Sequence, residues 1–110
     1  MKTEHKTNYI ILRDEKNDVT DFAQYLFKIK NQFKTDNVVI DIEKYGELSL
    51  DELLGFLELS FAHRKGNKSL VLVNDTINID LVPDEIVVVP TLQEAEDIIG
   101  LEEIERDLGF

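Results

Sequence analysis

The chain has no cysteine among its 110 residues. That excludes a disulfide framework, a thiol nucleophile and any cysteine-ligated metal, and it fits a reducing compartment. Positive charge is also scarce: 12 Lys and Arg stand against 23 Asp and Glu, for a formal net charge of −11. A surface this acidic repels phosphate backbones and anionic bilayers, so neither nucleic acid nor a membrane surface is expected as a partner. A protein with a basic surface is. No apolar window approaches the ~18 residues of a membrane span. The start, MKTEHKTNYIIL, lacks the apolar run of a signal peptide. A soluble, cytoplasmic protein is the expectation.

The usual marks of catalysis are missing too. The five glycines, Gly46, Gly55, Gly66, Gly100 and Gly109, stand alone, so there is no glycine-rich phosphate loop. Ser49, Ser60 and Ser69 lack the context of a nucleophile elbow. The two histidines, His5 and His63, have no second histidine at metal-ligand spacing. Among 23 carboxylates close pairs arise by chance. Glu43 with Glu47, Glu94 with Asp97, and Glu102 with Glu105 read as solvated faces. No catalytic residue, metal or cofactor is expected, and the chain reads as a non-enzyme.

Apolar residues make up 43% of the chain, enough for one core, and one domain over 1–110 is expected. NYIILRDE (8–15), DNVVIDI (36–42), KSLVLVND (68–75) and IVVVP (86–90) read as strands. Between the first two, Phe22, Leu26, Ile29 and Phe33 recur at helical spacing, with Asp18 or Thr20 as cap. LDELLGFLELSFAHRKG reads as one helix, with Leu50, Leu53, Leu54, Leu57 and Phe61 on a single stripe and Gly66 as terminator. TINIDLVPDE is a loop with room for one turn. TLQEAEDII opens the last helix, Gly100 kinks or ends it, and residues 100–110 form a C-terminal helical extension. The order β-α-β-α-β-loop-β-α predicts an α/β fold: a four-stranded, mostly parallel sheet with helices packed on it.

One stretch, YGELSLDELLGF (45–56), combines several signals. Ser49 and Glu52 have the spacing of a capping box, and Leu48 and Leu53 that of a hydrophobic staple. Asp51, in the first turn, faces the positive end of the helix dipole.

The frame VVIDIEKYGELSLDELLGFLEL…HRKGNKSLVLVN, with TLQEA at 91–95, resembles the STAS domain of bacterial anti-sigma factor antagonists over about residues 8–100. In that family a serine or threonine at a helix start is phosphorylated by an anti-sigma kinase, and the added charge switches the partner. Aligned from Asp41, the phosphoacceptor position falls on Asp51, the family aspartate two places earlier on Ser49, and the following glycine on Glu52. A phosphoserine carries about −1.5 to −2 and an aspartate −1, so Asp51 partly mimics the modified state. The resemblance implies a STAS-like interaction module that docks a basic regulator through Ser49, Asp51, Glu52 and Gly55, with Ser49 as a possible displaced phosphosite. The family usually has a helix between its third and fourth strands, and TINIDLVPDE is too short for one.

The tail is also similar to that of small bacterial proteins labelled ribonuclease Z. That activity needs a histidine cluster, which two isolated histidines cannot supply. Two alternatives remain open. One is a ligand-binding or enzymatic α/β domain with its site at the strand ends near Asp41, Asn74 and Asp75. The other is a homodimer built on the leucine-rich second helix.

Overall fold

Three nearly all-aliphatic runs of four residues form the centre of the sheet in the computed structural model of the chain, which describes residues 1–109. They are β2 (Ile10–Arg13), β3 (Val38–Asp41) and β4 (Leu70–Val73). They pair in parallel, and β5 (Val87–Val89) joins parallel to β4. The register aligns Ile11, Val39, Val71 and Val87 in one row and Leu12, Ile40, Leu72 and Val88 in the next. Successive side chains leave a strand on opposite faces, so the two rows face opposite layers, and both sides of the sheet need cover. α1 (Val19–Lys28), α2 (Leu50–Leu54) and α3 (Leu57–Lys65) cover the Leu12 face. Among the described residues α4 (Leu92–Asp107) alone covers the Ile11 face, through Ala95 and Ile99.

The fold is thus α/β with helices on the sheet, but the sheet has five strands, not four. The additional strand, β1 (Lys2–His5), lies antiparallel along the free edge of β2. Its sequence, KTEH, is polar and mostly exposed, so no alternation marks it as a strand. It is held by pairing with an edge that would otherwise be open, and by Glu4, which accepts from Arg13 Nη1 of β2 at 2.8 Å.

The single helix expected over 50–66 is two. The Gly55 N–H donates to Glu52 O and the Phe56 N–H to Leu53 O, both three residues back, so the chain tightens by one turn before α3 begins. Gly55 permits this: a Cβ there would sit 3.1 Å from Glu52 O and would also touch Ala23 of α1. The tightening shifts the helical phase. Phe56, off the expected stripe, is fully buried, while Leu50 and Phe61, on it, are exposed.

Of the two expected terminators, Gly66 ends α3 and Gly100 does not end α4. Gly66 caps α3 with an ordinary negative φ, and it is Asn67 that takes the left-handed conformation, φ 63°. Asn tolerates that region better than most residues. Gly100 neither kinks nor ends α4, which runs unbroken to Asp107, so residues 100–107 are its second half. Phe110, the end of the expected extension, lies outside the described residues. The 74–86 connection holds one 3-10 turn, Ile79–Leu81, and Ile77, Val82 and Ile86 pin it onto the α1–α3 face. No helix among the described residues is long and apolar enough to cross a membrane.

Candidate functional site

The start of α2 is built locally. Ser49 Oγ accepts from the Glu52 N–H at 3.1 Å, and Glu52 Oε1 accepts from the Ser49 N–H at 3.0 Å. This is a complete capping box, with Leu48 and Leu53 both buried beneath it as the staple. The turn is set up by Gly46, whose φ of 66° with ψ −129° belongs to glycine alone. Ser49, Leu50 and Asp51 stand exposed, and Glu52 is half-buried by its bond to the cap. Gly55 is exposed, and a Cβ there would meet Ala23 of α1 at an ordinary 3.6 Å. Ser49, Asp51 and Glu52 therefore share one exposed turn. Gly55 caps the end of α2 and is exposed as well.

The carboxyl ends of β3 and β4 lie beneath that turn. Asn74 is buried and uses its whole side chain. Nδ2 donates to Ile42 O at 3.1 Å and to Gly46 O at 2.9 Å, while Oδ1 accepts from the Thr76 N–H at 2.8 Å and its hydroxyl at 2.6 Å. Asp41 is also engaged, accepting from Arg13 Nε at 3.0 Å and from the Glu43 N–H at 3.1 Å. Arg13 bridges onward to Glu4, whose carboxyl is pulled down to about 2 by Lys6 and then Arg13. Glu43 is pushed up, first by burial and then by the charges of Asp41 and Asp75. Tyr45 donates to Asp14. Burial, and then that carboxylate, raises the Tyr45 phenol. Burial also acts to raise Asp14, but the Tyr45 hydroxyl, the Lys16 N–H and the Lys44 charge outweigh it, and its carboxyl lies below the usual range. Of the three strand-end residues, Asp75 is the exposed one. The end is filled by its own loops. At the same end of the sheet, just beyond β2, an open hollow of about 590 Å³ lies between Asp14, Lys16, Tyr25 and Lys28. Among the described residues no group of three or more His, Asp or Glu converges as metal ligands would.

A second polar cluster, at the amino ends of the strands, joins residues that the sequence reading left apart. Asn37 Nδ2 donates to Asn8 O at 3.1 Å, and its Oδ1 accepts from the Ser69 N–H at 2.9 Å and from Arg106 Nη2 at 3.3 Å. Ser69 Oγ donates to Glu102 at 2.6 Å and accepts from Arg106 at 3.2 Å. Arg64 pairs with Glu102 at 3.0 Å and donates to Leu70 O at 3.0 Å. Glu102 and Arg106 are four apart on α4, so they share a face and reach down together. That spacing was the one signal available. Nearby, buried His63 binds Asp36 O through Nε2 at 2.7 Å. Burial, with Arg64 and Lys68 near, holds its imidazole below the ordinary histidine value.

No family model matches the chain, and no curated protein is found similar to it.

Proposed function

We propose that the chain is a non-enzymatic interaction module of the STAS type, which docks a basic protein through the exposed first turn of α2. The observation that carries this reading is the contrast at the strand ends. Asn74, the natural floor of a ligand site there, has every polar atom committed to backbone or to Thr76, while Leu50 and Asp51 project from the turn above it. A strand end closed at Asn74, with a charged, rigidly capped turn above it, suits a protein partner at that point better than a small substrate. The resemblance to anti-sigma factor antagonists supplies the regulatory setting, and the lack of cysteine agrees with a cytoplasmic one. In this reading Asp51 keeps the docking turn permanently charged. Ser49 holds the helix, because its hydroxyl would have to abandon the Glu52 N–H to accept a phosphate. Affinity capture from the native cytoplasm, with quantitative mass spectrometry of wild type against Asp51→Arg, tests it. At least one basic protein enriched by wild type should be lost on Asp51→Arg. If no enriched protein depends on Asp51, the reading fails.

A further inference from the structure

The helix layers leave two apolar surfaces uncovered, on opposite sides of the sheet. One is a groove along the α1–α3 junction. Phe27, Leu57, Phe61 and Ala62 line a hollow of about 470 Å³, which adjoins at Ala62 a second hollow of about 370 Å³. Lys30, Lys34 and His63 line the second. Phe61 is 58% exposed, and Lys30 Nζ sits 4.2 Å from the ring centre of Phe27. The other surface is a stripe on the second half of α4 and its C-cap, where Leu101, Ile104 and Leu108 are 54%, 57% and 66% exposed. Their i, i+3, i+7 spacing places them on one helical face over about 10 Å, the pattern by which a helix anchors in a groove. Exposed Asp97, Glu105 and Asp107 border that stripe, while Glu102 and Glu103 are turned to Arg64 and Asn8.

The two surfaces complement each other: an apolar groove with lysines at one end, and an apolar stripe edged with carboxylates. Glu58 and Glu85 line the other end of the groove, so the charge match is confined to the lysine end, where Glu105 and Asp107 of the stripe meet Lys30 and Lys34. The sheet stands between groove and stripe, so a chain cannot satisfy one with the other. Two chains can.

We propose that the α4 stripe of one copy seats in the α1–α3 groove of another, a head-to-tail contact between copies of this chain. The contact uses different surfaces on the two partners, so it does not close as a two-fold dimer and propagates with concentration. At long range copies with a net charge of −11 repel, so association depends on this local match. It is independent of the α2 turn, and Asp51→Arg leaves it intact.

Sedimentation equilibrium of the full chain tests it, with Phe61→Glu removing the groove and Ile104→Glu the stripe. Both positions are more than half exposed, and circular dichroism checks that each variant keeps its fold. Wild-type mass should climb past the dimer as concentration rises. Each variant alone should stay monomeric. An equimolar mixture, with one intact groove and one intact stripe, should form a 1:1 complex and grow no further. A wild type that stays monomeric throughout overturns the proposal. So does self-association of Ile104→Glu alone, which means groove against groove, or of Phe61→Glu alone, which means stripe against stripe.

Discussion

Asn37 and Asn74 are buried asparagines at opposite ends of the same sheet. Asn37 directly precedes β3 and Asn74 directly follows β4. Each bonds to backbone on two neighbouring segments. They differ in reach. Asn74 ties together Ile42, Gly46 and Thr76, all within the loops of one strand end. Asn37 opens a charged network that draws in Arg106, 69 residues away, and through Ser69 also Glu102. The carboxyl end is therefore held by bonds among its own strand ends and loops, neutral at Asn74 and ionic at Arg13–Asp41, that do not involve α4. The amino end is held by ion pairs that do. A buried polar group must be paired wherever it lies, but the source of its partners decides which part of the chain it stabilises.

The largest test of this comparison pairs the two asparagines. Asn74→Ala leaves the Ile42 and Gly46 carbonyls and the Thr76 N–H short of partners and should cost about 3 kcal/mol in urea unfolding. Asn37→Ala should cost about 2 kcal/mol and combine less than additively with Arg106→Ala, because the two share a bond. Asn74→Ala should be additive with Arg106→Ala. Additivity in both pairs would dissolve the distinction between the ends.

A smaller effect is expected at the α2 turn. Ser49→Ala should cost about 1 kcal/mol through the lost cap, read from the urea midpoint, while Glu52→Gln, which keeps both capping bonds, should be nearly silent. The smallest effect is on pH. The folded His63 lies below its ordinary 6.5, so the unfolded chain takes up that proton first. Its contribution is complete above pH 6.5 and is lost as pH falls through the folded value. His63→Gln should flatten that part of the stability profile. The lowered Glu4 acts in a separate, more acidic window, between 4.5 and about 2.

Much of this was legible along the chain. The aliphatic runs gave the four parallel strands, and Asp18 and Ser49-x-x-Glu52 marked helix starts that carry the expected caps. The candidate turn was legible for the same reason, since its bonds span three residues. β1 was not, because KTEH carries no apolar alternation and becomes a strand only through an edge supplied by β2. Neither was the exchange of Phe56 for Phe61, which follows from a single tightened turn at Gly55. The amino-end cluster was hidden because Glu102, taken alone, looks like one more solvated carboxylate.

What the sequence determined by itself was whatever closes within about four residues: strand cores, caps, the staple under Ser49, and a charged Asp51 on an exposed turn. The tertiary structure alone decided the fifth strand, the phase of α3, the closed floor made by Asn74 and the anchoring of α4 through Arg106. Each of these depends on groups that lie far apart in the chain and meet only when the sheet and its two helix layers assemble. The capped turn can be read in one dimension, but whether a pocket or a filled surface lies beneath it is settled by packing in three.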